Sequence, residues 1–219
     1  MVYDTDEEQI EALKSWWEEN GTSLIIGIFL VLAVLFGSRY WQSSREATAA
    51  AASDIYVQMS GNVLSDTDLV IDDQELASAV ELHTALKENF SSSVYSRYSA
   101  LLLARLHVQR AELAEAANEL RWVLDNPGLS LFQSIDDELE LTTRSRLARV
   151  LLAQGDAEAA LDLLNAVEPG TFAGTFADIK GDAYVALGRL EVAREAYPTA
   201  LDLGVSPDVT ELKLNDISS

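Results

Sequence analysis

The sequence lacks cysteine and holds only two histidines among its 219 residues. Without cysteine the chain can form no disulfide, thiolate nucleophile, zinc–thiolate site or lipidated-cysteine anchor. His83 and His107 lie 24 residues apart, and neither has a second metal ligand at helical spacing beside it. Each is therefore predicted to be a surface or partly packed histidine. We expect no metal site, no cofactor and no enzymatic activity.

Basic residues are also scarce, since 15 Lys and Arg face 36 Asp and Glu, for a net charge of −21. Residues 1–20 carry −6 and Arg39 carries +1, which leaves −16 on residues 42–219. Nucleic-acid binding depends on clustered Lys and Arg, so we exclude it. The same balance argues against a domain that lies flat on anionic lipid.

Two other ligand motifs are missing. The glycines at Gly170 and Gly174 have neither the lysine nor the preceding strand of a phosphate-binding loop, so this stretch is predicted to be an inter-repeat turn. The acidic clusters 72–73 and 136–138 lack the alternating spacing of a calcium loop. We predict that they are helix N-terminal acids, which the helix dipole favours.

A long apolar run is present from Thr22 to Ser38, and it contains no charged side chain. With the aromatic pair that follows, its length matches a hydrocarbon core of roughly 30 Å. The alternatives are a buried core helix and a cleaved signal peptide. A signal peptide needs a basic start, whereas residues 1–20 hold seven acidic side chains against Lys14 alone. We predict a transmembrane helix at residues 22–41.

The segments on both sides of this run favour helix. Residues 1–21 form an acidic amphipathic tail whose helix should stop at Asn20-Gly21. Residues 42–94 are predicted to be a helical extension and a connecting helix, with a break at 60–62 and a polar loop at 63–73. The anchor and the extension could form one continuous helix.

Repeats begin near Tyr95. Gly155 and Gly188 lie 33 residues apart, and each opens a helix–turn–helix of the same template. An earlier copy has Ala111 at its turn, 44 residues before Gly155, so an extra loop is predicted near 126–139. We predict an all-α fold in which a transmembrane helix precedes a tetratricopeptide-like α-solenoid at residues 95–219. The alternative is an irregular α-bundle, because Ala/Leu helices imitate this pattern easily.

Small residues recur where neighbouring helices must approach closely, and large apolar residues fill the space around them. The small positions are Ala104, Ala148 and Gly181 within units, and Ala116, Ala160 and Ala193 between units. Ala157 is predicted to be more exposed than these.

The first helix of each unit lines the concave face of such a stack. Counting from the turns assigns to that face Tyr98, Leu101, Arg105, Ser145, Arg149, Leu152, Asp178, Asp182 and Val185. The Asn and Lys residues that clamp a chain-terminal carboxylate in other such proteins are absent there, so no recognition of a charged chain end is expected. The mixture of apolar side chains with both signs of charge suits adaptable binding of a chaperone or an unfolded segment. Alternatively, these side chains are buried and the arginines pair with neighbouring acids.

Several motifs, in this order, make the chain resemble the YfgM family of bacterial inner-membrane proteins. They are the acidic tail, the Glu19-Asn20-Gly21 junction, the anchor that ends at Arg39-Tyr40-Trp41, the Leu147-Ala148-Arg149-Val150 motif and the terminal Leu212-Lys213-Leu214-Asn215. The resemblance implies an ancillary subunit of the Sec translocon with a periplasmic tetratricopeptide-like domain. It also implies work with a membrane-anchored prolyl-isomerase-like chaperone, transfer of newly translocated, unfolded secreted proteins to periplasmic chaperones, and a tail that restrains a cytoplasmic stress-response regulator.

Charge predicts topology poorly here. Near the anchor, Lys14 stands on the N-terminal side and Arg39 and Arg45 on the other, so the positive-inside rule weakly favours a cytoplasmic domain. A difference of one charge is small, and we follow the resemblance: a single-pass inner-membrane protein with a cytoplasmic N-terminus and a periplasmic domain. A membrane-tethered repeat scaffold for another envelope assembly process is the alternative function, and a divergent hydrolase is a third.

Overall fold

The computed structural model describes residues 4–64, 71–127 and 133–217, and all regular elements in these ranges are helices. In chain order they are α1 Asp4–Leu64, α2 Asp73–Asn89, α3 Val94–Gln109, α4 Leu113–Asp125, α5 Gln133–Gln154, α6 Ala157–Asn165, a 3₁₀ turn Gly170–Phe172, α7 Ala173–Ala186, α8 Leu190–Asp202 and α9 Pro207–Asp216. The all-α prediction is confirmed. The chain divides into two compact units, residues 1–50 and 51–219.

The first unit contains the apolar run, and its side chains are not covered by protein. Phe29 is 70% exposed and Phe36 is 68% exposed. In the described ranges, one helix is long and apolar enough to cross a membrane, and it contains this run. The exposure rules out a buried core helix, because such a helix hides its apolar side chains in protein.

The predicted helix stop at Asn20-Gly21 is wrong, because α1 continues through both residues. The Asn20 amide nitrogen donates to the Trp16 carbonyl oxygen at 3.1 Å, so its side chain bonds within the helix. A Cβ on Gly21 would lie 3.2 Å from the Trp17 ring. Glycine here lets an aromatic ring lie against the backbone. The predicted break at 60–62 is also wrong, since α1 ends at Leu64.

The second unit is a stack in which successive helices from α2 to α9 pack on one another. At its start, Met59 is fully buried in an apolar cluster with Leu103 and Leu106 of α3. At the N-terminus of α2, Asp72 and Glu75 form the reciprocal hydrogen bonds of a capping box, at 2.8 and 3.1 Å. Asp72 is therefore a helix N-terminal acid, as predicted.

The close-approach positions are confirmed. Ala116, Ala148, Ala160 and Ala193 are each 0% exposed. At Gly181 a Cβ would lie 2.7 Å from Cδ1 of Tyr197 and closer still to Cε1, so only glycine lets α7 and α8 approach this closely. The prediction that Ala157 is more exposed than these positions is wrong, because it is only 4% exposed and packs in a cluster with Leu161 and Ala183.

The three unit turns share one geometry. Ala111, Gly155 and Gly188 have φ of 59°, 86° and 71°, in the left-handed region. At each turn this residue and the next donate their N–H groups to carbonyls three and five residues earlier, at 2.8–3.0 Å. This arrangement ends the first helix of each unit and starts the second, and it confirms the sequence register of the turns.

The extra residues between the first two units are only partly a loop. The prediction of a loop at 126–139 is wrong in its second half, because α5 already begins at Gln133. Part of the insertion lengthens this helix, which has 22 residues, whereas α3 has 16 and α7 has 14. Residues 128–132 of this loop, and residues 65–70 of the predicted polar loop at 63–73, lie outside the described ranges.

Candidate partner-binding surface

The residues predicted for the concave face lie on the first helices of the units, but they do not form one surface. Tyr98, Leu101 and Arg105 are on α3, with Ser145, Arg149 and Leu152 on α5, and Asp178, Asp182 and Val185 on α7. Some line open cavities, and others are taken up by contacts within the stack.

Two adjoining cavities lie where α3 faces α5. The larger, about 500 Å³, is lined by Tyr98, Leu101 and Arg105 together with Tyr56 from the end of α1. The smaller, about 390 Å³, shares Leu101 and Arg105 with the first and adds Arg149. Both volumes lie in the range typical of sites that accept a side chain or a small ligand.

Tyrosines form one wall of the larger cavity. The Tyr56 ring centroid lies 6.1 Å from that of Tyr98 and 5.8 Å from that of Tyr95. Burial, followed by the proximity of Tyr98, raises the pKa of the Tyr56 hydroxyl. This wall is therefore aromatic and uncharged.

The sequence prediction missed Arg146, which lines both cavities. Its pKa is lowered, first by burial and then by the positive charges of Arg105 and Arg149. Arg146 and Arg149 are three residues apart on one helix, so they share a face. The sequence does carry a signal for Arg146, namely its spacing of three residues from Arg149 within a predicted helix.

Ser145 and Asp178 are buried and do not belong to an open surface. Ser145 is 3% exposed, and its hydroxyl donates to the Leu141 carbonyl oxygen at 2.8 Å. Asp178 is 8% exposed and accepts hydrogen bonds from Lys213 at 2.9 Å and from Thr210 at 3.3 Å. We leave both out of the candidate surface.

Asp182 is occupied in the same way. It accepts a hydrogen bond from the Tyr197 hydroxyl at 2.9 Å and one from Lys213 at 2.8 Å. Burial lowers the pKa of Lys213, but hydrogen bonds to Asp182 and Asp178 outweigh it, so the net shift is upward. Burial and the Asp182 charge raise the pKa of Tyr197. Helix α9 thus neutralises the acidic residues of α7.

Leu152 and Val185 are only partly buried. Leu152 packs against the core cluster that contains Ala157, Leu161 and Ala183, and so contributes to the contact between α6 and α7. Neither residue lines the α3–α5 cavities.

His83 and His107 are more buried than predicted, at 2% and 8% exposed. His83 Nδ1 lies 2.8 Å from Ser99 Oγ, and Nε2 lies 2.9 Å from Glu119 Oε2. Burial raises the pKa of Glu119, but His83 and then Lys87 outweigh it and lower it overall. This contact ties α2 to α3 and α4.

A Ser–His–Glu set resembles hydrolase chemistry, but this one is structural. Ser99 is 0% exposed, and its hydroxyl donates to the Ser96 carbonyl oxygen at 2.8 Å. A nucleophile must reach a substrate, and this hydroxyl lies inside the stack. Among the described residues, no group of three His, Cys, Asp or Glu side chains could hold a metal ion.

Comparisons with known proteins agree over nearly the whole chain. The tetratricopeptide repeat-like domain family matches residues 14–219. The ancillary SecYEG translocon subunit of Escherichia coli K12 is 30% identical, over 99% of this chain and 98% of that protein. A protein of the same name from Haemophilus influenzae is 29% identical, over 99% of this chain and 100% of its own length. Another from Neisseria gonorrhoeae is 25% identical, over 97% of this chain and 97% of its own length. No solved structure matches the chain.

The similarity to these relatives extends over nearly the full length of this chain and of theirs. The chain therefore belongs to the tetratricopeptide repeat-like family of ancillary SecYEG translocon subunits.

Proposed function

We propose that this protein is an inner-membrane interaction subunit that associates with the Sec translocon and carries no catalytic activity of its own. The observation that supports this most is the end-to-end similarity to ancillary SecYEG translocon subunits. The apolar run of α1 fits the role, because its exposed side chains are available to neighbouring membrane helices.

Site-specific photocrosslinking in intact membranes tests the association. A photoreactive residue at Phe29 or Phe36 would probe the membrane segment, and one at the exposed Gln109 would probe the rim of the smaller cavity. We expect translocon subunits to be captured from the membrane positions. The matched control is the same residue at Leu190, which lies on α8 away from both cavities. If no position captures a translocon subunit and another envelope assembly is captured instead, the protein is a scaffold for that assembly.

The topology is part of the proposal: residues 1–20 face the cytoplasm and residues 42–219 face the periplasm. The resemblance supports this orientation, against a one-charge bias that favours the reverse. Protease added to spheroplasts should cut the repeat domain while a tag at Met1 survives. If the domain is protected and the tag is cleaved, the orientation is the reverse of the one proposed.

We further propose that the repeat domain receives newly translocated, unfolded proteins and passes them to periplasmic chaperones, with a membrane-anchored prolyl-isomerase-like chaperone as its partner. The open cavities between α3 and α5 are the part of the domain suited to such contacts. Crosslinking from Gln109 should capture this chaperone or a secreted protein in transit. Capture of neither would restrict the role to the membrane segment.

The acidic tail at residues 1–21 is proposed to restrain a cytoplasmic stress-response regulator. Deleting the tail should release that regulator and leave translocon capture by α1 unchanged. If the regulator is equally active with and without the tail, the proposed role of the tail is refuted.

A further inference from the structure

Three arginines gather around the two cavities between α3 and α5. Arg105 and Arg146 line both cavities, and Arg149 lines the smaller one. All three residues are exposed to solvent over part of their surface, and the Arg146 guanidinium is partly desolvated within the cavities. In a chain with 15 basic and 36 acidic residues, this is a local reversal of the overall charge. We call the two cavities and these arginines the arginine groove.

Within the described ranges, no ion pair or side-chain hydrogen bond engages Arg105, Arg146 or Arg149. Other arginines behave differently, since Arg144 binds Glu140 at 2.8 Å and Arg110 binds Glu112 at 3.0 Å. Glu138 lines the larger cavity and makes no ion pair there. Within the part of the domain that the structure describes, these cations of the groove therefore have no acidic partner.

These cations also repel one another. The pKa of Arg146 is lowered by burial and by its two arginine neighbours, so its charged form is held at a cost to the folded state. An anionic partner would relieve this repulsion. Guanidinium groups suit this well, because each can bind a carboxylate through two parallel hydrogen bonds.

The smaller cavity adds an apolar part to the groove. Leu101, Leu113, Leu120 and Val150 line it, and the arginines stand at its sides. A large apolar side chain buried among charged contacts is the usual arrangement of an anchor residue in a protein interface. The groove thus fits a ligand that carries both carboxylates and an apolar side chain.

We propose that the arginine groove binds an acidic segment of a partner polypeptide, with carboxylates on Arg105, Arg146 and Arg149 and one large apolar side chain in the smaller cavity. The inference rests on the proposed role as an interaction subunit and adds the chemistry of the partner. A long polyanion is a poor ligand, because residues 42–219 carry −16 and repel it outside the groove. The contacts are with side-chain carboxylates, since the Asn and Lys residues of a chain-end clamp are absent from the positions predicted for the concave face.

Binding of a synthetic peptide to the full chain in neutral detergent micelles tests this. The probe is a fluorescein-labelled peptide with a central Leu-Trp pair flanked by glutamates, and its control has glutamine at every glutamate. Fluorescence anisotropy should show binding of the glutamate peptide only, and the affinity should fall as NaCl rises from about 50 to 300 mM.

Arginine variants locate the site. Arg105→Gln, Arg146→Gln and Arg149→Gln should each weaken binding up to about fivefold, and the triple variant by more than about tenfold. Arg121→Gln is the matched control, because Arg121 is exposed on α4 and lines neither cavity. Thermal unfolding of Arg146→Gln should be unchanged or shifted upward, since the change removes like-charge repulsion. A merely structural arginine would give the opposite shift.

Three results would overturn the inference: equal binding by the triple variant, equal binding of the glutamine peptide, or displacement of the glutamate peptide by phosphatidylglycerol added to the micelles. Translocon capture is measured separately by the crosslinks from α1. If capture stands and the glutamate peptide does not bind, the arginine groove is refuted and the proposed function survives. If the peptide binds and capture fails, the association with the translocon is refuted and the groove remains.

Discussion

Replacing Gly181 by alanine changes the stability of the stack through two opposing effects, a gain in helix propensity and a steric clash with Tyr197. Alanine in a helix interior is favoured over glycine by roughly 0.5–1 kcal/mol, because glycine loses more conformational freedom on folding. The new methyl group, however, would lie 2.7 Å from Cδ1 of Tyr197 and closer to Cε1. Overpacking of this kind costs about 1–3 kcal/mol.

The clash should win, because the ring cannot move away easily. Tyr197 is 2% exposed, and its hydroxyl is held by Asp182 at 2.9 Å. The net loss is about 1–2 kcal/mol, which for a domain of this size lowers the unfolding midpoint by roughly 2–8 °C. Urea and thermal unfolding of the full chain in detergent, followed by circular dichroism, would measure it.

Two variants make the reasoning refutable. Gly61→Ala is the matched control, because a Cβ there meets nothing within 4 Å, so the substitution should stabilise or leave stability unchanged. Gly181→Ala combined with Tyr197→Leu should show a favourable coupling of about 1 kcal/mol, since the smaller side chain makes room. A Gly181→Ala protein as stable as the parent, or a coupling of zero, would mean that this close approach does not limit the stack.

Three other substitutions test the stack. Ala160→Phe should lower the free energy of unfolding, measured in urea, by about 1–3 kcal/mol, because Ala160 is buried between helices. Ala114→Phe, at an exposed site on α4, should lower it much less, and equal losses would contradict the assigned contact. Ala111→Gly should stabilise by up to about 1 kcal/mol, because φ of 59° strains alanine, and a loss of stability would show that the turn is not strained. Because the pKa of Glu119 is lowered in the folded state, its ionised form stabilises the fold at pH values above the ordinary pKa of 4.5, and this contribution is lost as the pH falls below that value. The difference in stability between the parent and Glu119→Gln should therefore narrow as the pH falls from neutral to below 4.5, and a constant difference would refute the ion pair.

Much of the fold could be predicted because its causes are local in sequence. A left-handed turn needs glycine or a tolerant residue, and Gly155 and Gly188 mark two of the three unit turns. Close helix contacts need small residues, so Ala116 and Ala160 report the packing without any structure. The membrane segment is local as well, since length and apolar composition define it.

The candidate site was harder because its contacts are non-local. Asp178 and Asp182 have the spacing of surface acids on a helix, and only the packing of α9 brings Lys213, 31–35 residues later, against them. Arg146 was missed for a related reason, since the cavities it lines exist only when α3 faces α5. The predicted mixture of charges was therefore two separate features, a basic groove and a neutralised acidic pair.

The position of Lys213 also has a kinetic consequence. Its ammonium on α9 meets Asp178 and Asp182 on α7 across 31–35 residues of chain, a stretch that contains the whole of α8. Contacts that close such a long stretch of chain usually form late, after the folding barrier has been crossed. We therefore expect a Lys213→Met chain to fold at nearly the parental rate and to unfold faster, so that this lysine sets how long the end of the stack stays closed rather than how quickly it forms.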